Sequence, residues 1–203
     1  MERLSGVKRI AVFGGSFNPP GLHHRRIVES LSRRFDRVLV IPCGFRPDKP
    51  AAKLVSSTQR RQMIELTFAD MLNVAVLYFD LEAGEFTRTF ELDEKLSQEY
   101  EGELWYAVGT DIIQGGANAR SEVHELWHRG EELWSKLNFA IVSRRDMPAS
   151  PADFPRKSEL IPFESIGSST EIRKKTSTKE TIDHLVVSGV AEFITREGIY
   201  LNT

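Results

Sequence analysis

The sequence predicts an α/β protein, a doubly wound, Rossmann-like parallel sheet with a helical C-terminal portion from about residue 166. Three observations carry that expectation. Short β-branched apolar runs alternate along the chain with longer segments of helical period. The runs show little polar alternation, as strands covered on both faces do. Glycine-containing breaks, "GGSF" and "VGTD", follow two of the runs, at the carboxyl strand ends where open sheets of this class bind ligands.

Taken in order, "RIAVFG" (9–14) is a buried strand and "RRIVESLSRRF" (25–35) a helix. "RVLVIPC" (37–43) is the second strand. A helix follows over 57–71, with Ser56 and Gln59 at capping-box spacing. "VAVLYFDL" (74–81) supplies the third strand, and 87–100 a helix with apolar positions three and four apart. "LWYAVGTD" (104–111) is the fourth strand, "EVHELWHRGEELWSKL" (122–137) a helix, "FAIVSR" (139–144) the fifth strand and "ELIPFES" (159–165) the sixth. The prolines of 145–157 make that stretch an irregular surface connection. Right-handed crossovers then give the doubly wound order.

At 203 residues, 40% hydrophobic and 28% charged, the chain suits a single domain spanning 1–203. No apolar run is long enough to span a bilayer, and the N-terminus lacks a signal-peptide pattern, so a cytoplasmic location without a membrane partner is expected. A net charge of -2 argues against nucleic acid as a partner. The basic groups Arg25–Arg26, Arg60–Arg61, Arg144–Arg145 and Arg173-Lys174-Lys175 read for the most part as solvated helix faces, though such groups can still hold a few phosphates of a small ligand. The single cysteine, Cys43, excludes an internal disulfide and a multi-cysteine zinc site, and its apolar setting makes it a small buried thiol.

Two segments carry the chemistry. In "GGSFNPPGLHH", Gly14 and Gly15 let the backbone turn sharply and let a ligand approach main-chain N–H groups. His23 and His24 then fall at the start of the first helix, where the helix dipole favours an anion. There is neither a Gly-x-Gly-x-x-Gly fingerprint nor a Walker motif. In "IGSSTEIRKK", Ser168 and Glu171 are spaced to cap a new helix. Its first-turn N–H groups, with the hydroxyls of Ser169 and Thr170 and the guanidinium of Arg173, would cradle an anion. A surface-histidine pair and a plainly capped helix are the bland alternatives, and the coexistence of both cradles weighs against them. "HELWH" (124–128) matches H-E-x-x-H, with His124 and His128 on one helix face and Glu125 as a base. No third ligand stands downstream at suitable spacing, so a structural helix is preferred and no metal site is assigned.

"GGSFNPP" and "SSTEIR" together resemble the nucleotidyltransferase superfamily, and specifically the bacterial nicotinate-nucleotide adenylyltransferases. "VIPCGFRPDK" (40–49), "RRQMIELTFAD" (60–70), "VGTD" (108–111), the Trp127 helix and "VAEFITREGIY" (190–200) are similar to that family in order and spacing, over nearly the whole chain. The resemblance implies adenylyl transfer from ATP to nicotinate or nicotinamide mononucleotide, with pyrophosphate as leaving group and Mg2+ arriving with the ATP. It implies a nucleotide-binding set of Gly14, Gly15, Ser16, Phe17, His24, Gly109, Asp111, Ser168, Ser169, Thr170 and Arg173, with His24, His23 and Arg173 acting on the reacting phosphates. Asp111 would reach a ribose hydroxyl. Lys49, Thr87 and Trp127 would lie on the mononucleotide side, Trp127 by stacking on the pyridine ring.

One departure stands at the heart of the match. The family carries His (or Thr)-x-Gly-His where this chain reads Gly21-Leu22-His23-His24. The last histidine is kept as His24, the first is replaced by Gly21, and His23 occupies the glycine position. Either His23 substitutes from a neighbouring backbone position, or the triphosphate loses one donor. Two alternatives stay open at this point: a transferase of the same superfamily with another acceptor, and an ATP-binding protein with weakened catalysis.

Overall fold

Apolar runs without polar alternation need cover on both faces, and the sequence supplies the helices between them. A computed structural model describes residues 7–44, 55–143, 150–163 and 167–201. Six strands are present among them: β1 (Arg9–Gly15), β2 (Arg37–Pro42), β3 (Val74–Val76), β4 (Glu103–Gly109), β5 (Asn138–Ser143) and β6 (Ser158–Pro162). Their hydrogen-bonded order is β3-β2-β1-β4-β5-β6. The chain winds outward one way from β1 to β3 and the other way from β4 to β6, the doubly wound order expected. Pairing is parallel from β1 to β4, β4 to β5 and β5 to β6, with Val12 opposite Tyr106 and Val108 opposite Ile141.

The helices are α1 (Leu22–Ser32), α2 (Ser57–Phe68), α3 (Phe79–Ala83), α4 (Thr89–Glu99), α5 (Thr110–Ile113), α6 (Glu122–Leu126), α7 (Gly130–Lys136), α8 (Ser169–Ser177) and α9 (Ser188–Glu197). The capping box of α2 forms in full, with Ser56 and Gln59 each accepting from the other's backbone. Two sequence expectations need correction. The third strand stops at Val76, and after Leu77, whose N–H still bonds the Val40 carbonyl at 2.9 Å, the chain enters α3. Gly84 ends that helix at φ 71, a conformation that costs glycine nothing. The helix expected over 122–137 is also broken in two. Trp127 is extended and Arg129 sits at φ 57, and a Cβ on Gly130 would run into the Val123 carbonyl, so the chain doubles back there only on a glycine.

The chain divides into two compact units, residues 1–13, 30–39 and 87–164 in one and 14–29, 40–86 and 165–203 in the other. The first is built around β4 and β5. Phe139, Ala140 and Ile141 of β5 are buried together with Leu96 and Leu133 from α4 and α7. The buried Tyr106 hydroxyl donates to Asp93 at 3.0 Å, and Lys136 closes on the same carboxylate at 2.8 Å. That carboxylate, almost fully buried, thereby gains both a neutral and a charged donor. In the second unit a core of Met63, Ile172, Leu185, Val190, Phe193 and Ile194 joins α2, α8 and α9. Among the described residues no helix is long and apolar enough to cross a membrane.

Candidate functional site

β1 runs on through Gly14 and Gly15, where the sequence predicts a sharp turn, and the Gly15 carbonyl still accepts the Cys43 N–H at 3.0 Å; the segment leaving the strand then descends into the interior. Phe17, at φ 44, is wholly buried, and Asn18 to Gly21 are buried after it. Phe17 meets the ring of His24 edge-on at 4.9 Å and that of Phe68 at 6.0 Å. Gly21 stands where the N-cap of α1 belongs: its carbonyl accepts the N–H groups of His24 (3.0 Å) and Arg25 (3.1 Å). A glycine has no capping side chain, and the helix compensates from within. The Nδ1 of His24 accepts the Gly21 N–H at 3.2 Å, the part that Glu or Gln plays in a capping box. With Nδ1 accepting, the ring proton resides on Nε2, which becomes the donor of His24. His23 lies against it, ring centroids 3.9 Å apart. The first N–H of α1, from Leu22, goes to the Leu185 carbonyl at 2.7 Å, so part of this helix terminus is already satisfied by protein.

The second cradle comes to the same loop. Ser168 caps α8, its Oγ accepting the Glu171 N–H at 3.1 Å. Ser169 donates its hydroxyl to the Pro19 carbonyl at 2.8 Å, and Arg173 donates Nη1 to the Asn18 carbonyl at 2.7 Å. Both contacts join residues 150 or more positions apart in the chain. Arg173 Nη2 reaches Thr170 Oγ1 at 3.1 Å, which aligns the guanidinium along the first turn. These bonds occupy two of its five N–H donors. The Ser169 hydroxyl, expected from the sequence to face an anion, spends its proton on the loop; what it offers a phosphate is its backbone N–H.

Sequence reasoning missed Arg60, taken there as part of a solvated pair. It is 3% exposed and its Nη2 donates to the carbonyls of Ser16 and, at 2.6 Å, Cys43. The signal was available: Arg60, Met63, Ile64, Thr67 and Phe68 are the buried residues of α2, spaced as one apolar stripe, and Arg60 is on it. Burial away from water pulls its pKa down, yet a guanidinium starts so high that it stays charged. Asn18 and Tyr200 were missed as well; both are buried, and the Tyr200 hydroxyl donates to Asn18 Oδ1. Arg25, by contrast, belongs to the scaffold, bound to Asp70 (2.7 Å), Glu29 (3.1 Å) and the Thr67 carbonyl (2.6 Å).

In the other unit, Gly109 ends β4 and caps α5. A Cβ there would collide with Oδ1 of Asp111, so the Gly-x-Asp spacing lets the carboxylate fold back over the strand end. Asp111 itself is exposed, Thr87 half-buried just ahead of α4, and Trp127 half-buried at the break between α6 and α7. The same break disposes of the H-E-x-x-H geometry. His124 stays on α6, 2.6 Å from Ser121 Oγ and against Trp134, while His128 lies past the helix end near Glu91 at 3.8 Å. Two ligands one turn apart require one continuous helix. Lys49, Arg144 and Arg145 lie outside the described residues.

The family described as cytidylyltransferase-like matches residues 12–175. A protein of Methylacidiphilum infernorum named "Probable nicotinate-nucleotide adenylyltransferase" is 26% identical over 204 residues, 95% of this chain and 92% of that protein. A Synechococcus protein of the same name is 27% identical over 205 residues, 96% of this chain and 98% of that protein. The structure of Plasmodium falciparum nicotinic acid mononucleotide adenylyltransferase complexed with NaAD superposes with a TM-score of 0.76 at 22% identity, over 97% of this chain and 98% of that one. At that identity the superposition speaks for the fold. Matched from the strand that leads to Gly14 through to the helix that carries Arg173, the chain belongs to the cytidylyltransferase-like family of nucleotidyltransferases.

Proposed function

We propose that the protein transfers the adenylyl group of ATP to nicotinate mononucleotide, or to nicotinamide mononucleotide, releasing pyrophosphate and forming the dinucleotide for NAD biosynthesis in the cytoplasm. One observation carries this reading: the turn after β1 and the first turn of α8, remote in sequence, are tied together by Ser169–Pro19 and Arg173–Asn18. Two anion-binding termini converging on one loop suit a polyphosphate better than any single-charge ligand.

In this reading an oxygen of the mononucleotide's phosphate attacks the α-phosphorus of ATP in line. The bond from that phosphorus to the bridging oxygen breaks, and pyrophosphate departs with the electron pair. No covalent enzyme intermediate forms, and the protein's work is positioning and charge stabilisation. His24 turns Nε2–H toward the phosphates because Nδ1 is held by Gly21. The N–H groups of α8 after Ser168, the Thr170 hydroxyl and the remaining donors of Arg173 take the charge that develops on the leaving group. Gly14, Gly15 and Ser16 carry the nucleotide along their backbone, with the buried Phe17 behind them supporting His24 rather than touching the ligand. Gly109 and Asp111 serve the ribose, and Lys49, Thr87 and Trp127 serve the mononucleotide. Mg2+ enters as part of the substrate, on the triphosphate.

Purified full-length protein with Mg2+ and ATP, offered nicotinate mononucleotide, nicotinamide mononucleotide and pantetheine phosphate in turn, tests the reading. Pyrophosphate release with a pyridine mononucleotide is the expected result, and release with none of the three overturns it. The glycine at position 21 favours one other reading, an ATP-binding protein of weakened turnover, which ATP binding measured by calorimetry together with no pyrophosphate release would show.

A further inference from the structure

Gly21 and His23 are the two positions at which the chain departs from the motif, and the space around Gly21 explains why they change together. Its φ is not among the positive ones, so the backbone conformation does not demand glycine. Sterics do. A Cβ built there would stand 2.7 Å from Nδ1 and 2.8 Å from Cε1 of His23, and 2.8 Å from Cδ1 of Ile172. The Ile172 methyl can turn aside; the imidazole is packed against the His24 ring, centroids 3.9 Å apart and tilted by 40°. Side chains on a helix lean toward its N-terminus, and the ring of His23 does so over the residue two positions ahead of it. It therefore occupies the volume that a side chain at 21 would fill, alongside Ile172, the immediate neighbour of Arg173 on α8.

We propose that Gly21 and His23 are an exchanged pair. The ring of His23 supplies, from two residues further along, the phosphate contact that a side chain at 21 would otherwise make, and it does so only because position 21 carries none. The inference rests on the adenylyl-transfer reading for its consequence in rate, while its steric half stands independently of that reading.

Four full-length proteins test it: wild type, H23G, G21H and the reciprocal G21H/H23G. Pyrophosphate release, ATP affinity by calorimetry and the thermal midpoint are measured on each. H23G should lose about a hundredfold in rate, the effect of removing one oriented donor. The reciprocal variant should recover at least about tenfold over H23G in rate or in ATP affinity, since one such contact is returned. G21H should melt below wild type, because two rings compete for one volume, and the reciprocal variant should melt above G21H. A reciprocal variant no better than H23G overturns the exchange, as does wild-type behaviour of H23G. Equal melting of G21H and the reciprocal variant overturns the steric half. Should G21H fail to fold, the comparison of the reciprocal variant with H23G decides alone. A wild type that releases no pyrophosphate with any acceptor would sink the transfer reading instead, leaving the exchange to be judged by ATP affinity and melting.

Discussion

The two ring nitrogens of His24 have separate duties, and that division is what makes the residue informative to mutate. Nδ1 completes the cap of α1 by accepting from Gly21 at 3.2 Å, and this fixes the donor on Nε2. Phe17, wholly buried and edge-on at 4.9 Å, limits the tilt of the ring. If His24 donates to the triphosphate as proposed, His24→Ala should lower the rate of pyrophosphate release about a hundredfold or more, with little change in the KM for the mononucleotide. Steady-state kinetics with each substrate varied would show it, and an unaltered kcat would sink the assignment. Arg60 teaches a different lesson at the same scale. It was legible as a buried side chain from the α2 stripe but not as a clamp on Ser16 and Cys43, since carbonyl acceptors leave no trace in a sequence. Arg60→Met keeps the length and removes the donors, so the Ser16 and Cys43 carbonyls lose this hydrogen bond. The cost should be about 2–4 kcal/mol, read from urea unfolding. A loss no larger than a surface substitution gives would mean that the clamp contributes nothing.

Helix α8 shows how an element converts sequence spacing into a site. Ser168 satisfies the Glu171 N–H, and the turn that follows is pinned to Asn18 and Pro19 by Arg173 and Ser169. Ser168→Ala should cost about 1 kcal/mol of stability through the lost cap. It should also raise the KM for ATP, because the first turn is the part that frays. A variant with wild-type stability and KM would show that the cap is dispensable. The start of α8 was legible from S-x-x-E, as was α2 from its capping box, because both signals are local. The ends of α3 and α6 were not. An apolar run such as "VAVLYFDL" looks alike as a strand or as strand plus helix. What ends α6 is the approach of Gly130 to the Val123 carbonyl, a contact made by the returning chain. The expected helix over 122–137 failed for that reason, and the apparent H-E-x-x-H pair failed with it.

At the scale of the molecule, the parallel order was readable because buried strands have a compositional mark, and the glycine breaks fell at strand ends as the topology requires. What no pattern announced is how far the fold shields tyrosine hydroxyls, which are buried at Tyr106 and Tyr200 and half-buried at Tyr78. Tyr78, Tyr106 and Tyr200 all have their pKa raised above the ordinary 10.0, by burial first, Tyr78 to about 12. Tyr106 is pushed further by the charge and hydrogen bond of Asp93, whereas Arg173 and Arg60 partly offset the shift at Tyr200. A group whose folded pKa is raised holds its proton longer in the folded state, so its contribution is complete below the unfolded pKa. It is lost as the pH rises from there toward the folded value. The protein should therefore keep its stability up to the ordinary tyrosine pKa of 10.0 and lose it steadily above. Tyr200→Phe isolates one share of this. At neutral pH the variant should be less stable by about 1 kcal/mol, the worth of the bond to Asn18 Oδ1. As the pH climbs past 10.0 the gap should close, because only the wild type carries the ionisable hydroxyl at that site. Urea midpoints at about pH 8 and about pH 11 measure it, and a gap that stays constant or widens would show that the hydroxyl is not held in its neutral form by the fold.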